Sequence, residues 1–137
     1  MKRFHILLLL SAIFILAMPV GVWGASGAKL PEYETVVTRT VDTSEYGFST
    51  SMAAYLSEAA EKASKTTQYK IVIPPGTYTA RYWQNIPSNT WIYAKGARIC
   101  AKKGNKRMVL LSNQKIGKAT ENILIEGGTW DTTTQSV

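Results

Sequence analysis

Acid–base and nucleophilic chemistry usually needs a histidine, and the one histidine of this 137-residue chain is His5, close to the start. It falls inside a leader-like stretch described below. Once that stretch is set aside, a Ser-His-Asp triad, a Cys-His pair and a His-based metal site are all excluded. Cys100 is the single cysteine, so no intrachain disulfide can form even in an oxidising compartment. It lies in Ala97-Arg98-Ile99-Cys100-Ala101, where a small buried hydrophobe is the better reading than a nucleophile. What remains is electrostatic. Lys95, Arg98, Lys102, Lys103, Lys106 and Arg107 fall within 13 residues and read either as a solvated loop or as a groove for a polyanion. Aromatic residues do not interleave with these charges as a single-strand nucleic-acid surface requires, so nucleic acid is not an expected partner. For an exported protein, an acidic polymer outside the cell fits better. Neither a metal nor another cofactor is expected.

Export itself is read from the first residues. Met1-Lys2-Arg3 is basic, Phe4 to Trp23 contains no Lys, Arg, Asp or Glu, and Val22-Trp23-Gly24-Ala25-Ser26-Gly27-Ala28 is rich in small residues. Basic, apolar and small segments in that order make a secretory signal peptide. Pro19 and Gly21 precede the cut, with Val22 and Gly24 at the −3 and −1 positions. An uncleaved anchor is the rival, since 20 residues just span a bilayer. The densest apolar core, Ile6 to Ala17, is short for that role, so residues 1–24 are expected to be removed, leaving no stable membrane span. Losing Lys2 and Arg3 lowers the formal charge from +7 to +5, and the expected location is secreted or cell-surface.

These groups need elements to position them. Residues 25–45 read as an extended or loosely ordered segment. Ser49, Thr50 and Ser51 then offer N-caps for a helix over 50–65, with Met52, Leu56, Ala59, Ala60 and Ala63 at helical spacing on its inward face. From Tyr69 onward short β segments take over: Ile71–Ile73, Thr77–Ala80, Thr90–Tyr93, Ala97–Cys100, Met108–Leu111 and Asn122–Ile125. Pro75 and Gly76 suit positions i+1 and i+2 of a type II turn, and Gly127-Gly128 suits a sharp corner. Alternation places Ile71, Ile73, Ile123 and Ile125 on one face, with Leu124 and Glu126 on the other. No helical pattern separates the strands, which argues against βαβ units. Solenoid and sandwich both stay open on pattern alone.

Three segments resemble a known superfamily. Ile71-Val72-Ile73-Pro74-Pro75-Gly76-Thr77-Tyr78 looks like the "V-x-I-P-x-G-T-Y" opening of pectin-lyase-like proteins. Ser88 to Ile99 resembles their "S-N-T-x-I-x-x-x-G-A-x-I", and Asn122 to Asp131 resembles the "N-I-x-I-x-G-G-T-x-D" of polygalacturonase-like glycosidases. The resemblance covers about residues 42–131. It implies an all-β fold: a right-handed parallel β-helix (solenoid), N-terminal coils only, with a capping α-helix after the signal peptide. Residues 46–137 would then form the cap helix and first coils of an incomplete domain, prone to self-association at its uncovered end.

The resemblance also implies a function. Polygalacturonase-like enzymes hydrolyse uronide polymers with paired aspartates on later coils, in motifs that this chain lacks. Its aspartates are Asp42 and Asp131, and an inverting pair must flank the sugar at ~6.5–9.5 Å. No catalytic residue is therefore assigned. Trp130 is the expected sugar platform, with Asp131, Lys102 and Lys103 as substrate-binding residues on a pectin-type acidic polysaccharide, while Trp91 is expected to pack internally. The leading expectation is the N-terminal part of a secreted polysaccharide-degrading protein. The alternative is a non-catalytic adhesin or carbohydrate-binding module.

Overall fold

The computed structural model describes residues 30–81, 85–103, 110–113 and 119–133. The leader, Trp83, Lys106 and Arg107 lie outside these residues, as do Met108 and Val109 of the expected strand 108–111. Among the described residues the first element is β1 (Thr35–Thr40), followed by α1 (Gly47–Lys62), β2 (Thr67–Val72), β3 (Gly76–Ala80), β4 (Asn85–Ile86) and β5 (Thr90–Tyr93). β6 (Ala97–Ala101), β7 (Ser112–Asn113), β8 (Ile123–Glu126) and β9 (Thr129–Asp131) complete it.

The helix starts at Gly47, earlier than its sequence signal; its N-cap Tyr46 makes no side-chain cap bond, and Asp42 and Ser44 hold the turn just upstream. Asp42 Oδ1 accepts the Ser44 N–H at 2.8 Å, and Ser44 Oγ accepts the Gly47 N–H at 3.1 Å. Ser49, expected as a cap, is instead buried in the helix face with Phe48, Met52, Leu56 and Ala59. Ala60, expected inward, is exposed. Phe48 stacks on Tyr78 with centroids 4.9 Å apart, and Met52 and Leu56 join Ile71, Ile73, Ile92 and Ile99 in one core. Ser49 Oγ accepts the Arg81 N–H at 2.9 Å, which ties the helix to the chain leaving β3.

The strands pair in parallel throughout the described residues, as β1-β2-β5-β8, β3-β6-β9 and β4-β7. The expectation of an all-β solenoid is corrected by this arrangement. Three separate short sheets of four, three and two strands accompany one 16-residue helix, and a β-helix is not what these residues show. The physical reason is that α1 is more than a lid on a β structure. Its Phe48, Met52 and Leu56 are among the core side chains, so the core is a mixed helix–sheet one. Within the segment expected to be extended or loosely ordered, residues 35–40 are extended. Their Thr and Val run forms strand β1, in register with β2 from Thr35–Thr67 to Thr40–Val72.

Register sorts the residues of the four-stranded sheet onto two faces. Arg39, Ile71, Ile92 and Ile125 align on one, and Ile71 and Ile92 have no exposed surface. Thr38, Lys70, Trp91 and Leu124 align on the other, followed by Thr40, Val72, Tyr93 and Glu126. The turns that hold this register use left-handed backbone. Gly127 and Gly128 have φ of 72° and 86°, as the corner reading requires, and Asn89 and Asn122 both have φ of 58°. Asn122 Nδ2 donates to Asn89 Oδ1 at 2.9 Å, so each asparagine turn supports the next.

Candidate cationic–aromatic face

The outward face of the four-stranded sheet carries the one place where cations and aromatic rings converge among the described residues of that sheet. Within β2, Lys70 points away from the core because Ile71 points into it. β5 alternates in the same way: Thr90 and Ile92 are fully buried, so Trp91 and Tyr93 face outward and are half-buried. Parallel register brings Lys70 beside Trp91. The Lys70 ammonium lies 3.8 Å from the Trp91 ring centroid and 5.0 Å from that of Tyr93. The two rings meet edge to face at 6.2 Å and 83°. Cation–π contacts of this kind contribute ~0.5–1 kcal/mol at exposed sites and more when desolvated.

Lys95, just beyond β5, completes the face in a different state. Its ammonium is 5.9 Å from the Tyr93 centroid and 3.3 Å from Glu126 Oε1. Lys95 therefore has a counter-ion, whereas among the described residues no carboxylate pairs with Lys70. The Trp91 indole N–H is also shut away from solvent without an acceptor. A buried unpaired donor costs about 1–3 kcal/mol, so this is an unusual place for a tryptophan.

The residues expected to form the site are elsewhere. Trp130, in β9, aligns with Ile99 of β6, packs against the core and donates its Nε1–H to Gly127 O at 3.3 Å. Asp131 lies on the opposite face of the three-stranded sheet, beside Cys100 in register. Its carboxylate accepts the Thr133 hydroxyl and N–H and an Arg98 N–H at 2.5 Å. The Thr133 hydroxyl and then the Arg98 guanidinium hold its pKa down to about 2. Such a carboxylate stays ionised and is ill suited to donate a proton. Lys102 and Lys103 are exposed just past β6, and among the described residues neither pairs with Asp131. Cys100, expected buried, is half-buried on the outward face because its neighbours Ile99 and Ala101 take the inward positions.

A hydroxyl-lined cleft of about 270 Å³ lies between Thr43, Ser44, Glu45, Phe48 and Thr77–Thr79. The Glu45 carboxylate at its rim is tied to Arg81 at 3.2 Å. Among the described residues no three His, Cys, Asp or Glu side chains converge to hold a metal, and no helix is long and apolar enough to cross a membrane. Neither a family model, nor a curated protein, nor a solved structure matches the chain.

Proposed function

We propose that this chain is an exported recognition module for acidic, pectin-type polysaccharide, binding through the face made by Lys70, Trp91, Tyr93 and Lys95. The observation that carries the reading is the Lys70 ammonium held over two aromatic rings without a carboxylate of its own. A uronide presents an apolar sugar face and a carboxylate on each ring. Tyr and Trp supply flat apolar surface with a polar edge, and an ammonium beside them supplies the charge complement. The formal charge of +5 left after removal of the leader favours approach of a polyanion. The likeness of segments 71–78, 88–99 and 122–131 to pectin-lyase-like sequences supports the same substrate class, and the basic-apolar-small leader supports export.

Cleavage is not part of the proposal. Asp131 and Glu58 both have pKa values lowered to about 2 by their hydrogen-bond partners, which suits ion pairing and not proton donation. Isothermal titration of the whole purified protein with polygalacturonate and with a neutral galactan tests the reading. Binding to the acidic polymer that weakens with added salt, and is lost in Trp91→Ala/Tyr93→Ala, is expected. Equal binding to both polymers, or none to the acidic one, overturns it.

A further inference from the structure

Two groups on this face lack partners, and they are in contact. Lys70 has no counter-ion among the described residues, although Lys95 nearby is held by Glu126 at 3.3 Å. Trp91 has an indole N–H buried without an acceptor, while the Lys70 ammonium rests 3.8 Å from its ring centroid. We infer that Lys70 is a displaceable cover on the face of Trp91, drawn off by the carboxylate of a uronate so that the ring becomes available to the same sugar. The inference rests on the acidic-polysaccharide reading above and adds the order of recognition: charge first, ring second.

The chemistry favours this order. A lysine ammonium is strongly hydrated, sits on a flexible stem and is held on the rings only by cation–π attraction. A carboxylate offers it a charge-assisted hydrogen bond, which is the stronger contact. Once Lys70 moves, the indole face accepts the apolar side of the sugar. The ligand thereby gives Lys70 the counter-ion it lacks among the described residues. A neutral sugar, or a uronide whose carboxylates are methyl-esterified, has nothing to draw the lysine away. The site therefore selects unesterified uronate over its ester, and Lys70 is the residue that sets the selection. Lys95 contributes less to this choice because Glu126 already neutralises it.

The test uses the whole protein labelled with ¹⁵N, with the Trp91 indole resonance assigned by Trp91→Phe. Titration with unesterified oligogalacturonate should shift that resonance, while the methyl-esterified oligomer should leave it in place. In Lys70→Ala the ring is uncovered, so affinity for the unesterified oligomer should fall and affinity for the esterified one should rise, lowering their ratio at least tenfold. Lys70→Arg should keep the preference. Acidic binding with an unmoved Trp91 indole and an unchanged ratio in Lys70→Ala would overturn the cover while leaving polysaccharide recognition standing. Absence of any acidic binding by the wild-type protein would overturn both. Should Lys70→Ala fail to fold, the wild-type indole titration decides alone.

Discussion

Met52 is the most direct measure of how far α1 belongs to the core. Its side chain has no exposed surface and lies in the cluster with Phe48, Leu56, Ile71 and Ile73. Met52→Ala strips three heavy atoms from a fully packed position, and substitutions of this type cost about 2–5 kcal/mol through lost transfer energy plus the residual cavity. Domains of this size have ~5–15 kcal/mol of stability in total, so the variant should lose a large share of it. At ~4 °C per kcal/mol the melting temperature should fall by roughly 8–20 °C. Urea unfolding followed by far-ultraviolet circular dichroism reads the change, with the slope m unaltered if the denatured state is unaffected. Ala60→Lys is the matched control. Ala60 is exposed, although helical spacing from Met52 suggests the inward face, so the variant should stay within ~0.5 kcal/mol of wild type. A Met52→Ala cost below ~1 kcal/mol, together with a larger loss in Ala60→Lys, would refute the packing of α1 described above.

Ser49→Ala should cost about 1–3 kcal/mol in the same assay, because the Arg81 N–H now 2.9 Å from Ser49 Oγ loses its acceptor in a buried setting; an unchanged midpoint would argue against that bond. Gly127→Ala places a Cβ 3.0 Å from the Lys95 backbone at a φ of 72°, so a loss of ~1–2 kcal/mol or more is expected, and a neutral result would show that the corner can relax. Acid should weaken the fold through Glu58, whose pKa is lowered from 4.5 to about 2 chiefly by the hydrogen bond from Arg39 and then by that from Lys62. A depressed folded pKa gives stability that is complete above 4.5 and is lost as pH falls through about 2. The melting temperature of wild type should therefore drop more steeply than that of Glu58→Gln across this window; parallel curves would mean that the carboxylate contributes nothing.

Local signals in the sequence marked the elements well. Gly127-Gly128 announced a corner, and the alternation Ile123-Leu124-Ile125-Glu126 gave both faces of β8 correctly. The helix signal was displaced by three residues because Met and Ala spacing marks the inward face, while the turn that Asp42 and Ser44 hold just upstream of the start lies outside that pattern. Pairing was less accessible. A period-2 pattern says which residues share a face of one strand and is silent on which strand lies alongside. Nothing in Thr35–Thr40 specifies β2 as its neighbour, since their contact spans the whole of α1. The all-β expectation failed on the same ground, because neither the helix's share of the core nor the division into three sheets is written in any local window.

The choice between Trp91 and Trp130 shows what register adds. Both tryptophans sit in short strands next to turn residues, and composition treats them alike. Trp91 is flanked by Thr90 and Ile92, both with no exposed surface, so parity turns it outward. Trp130 aligns with Ile99 and, on that row, turns inward toward the core. Parity within β5 was readable from Thr90-Trp91-Ile92-Tyr93, given that Ile92 is the core residue. The arrival of Lys70 over the ring was not, because it requires Ile71 and Ile92 to be register partners in space. A lysine in β2 and a tryptophan in β5 become one binding surface only after the buried isoleucines have fixed the strands side by side. The face is thus a consequence of the core: a change that slipped β5 by one residue would bury the two aromatic rings, expose Ile92 and abolish the site without altering any residue that forms it.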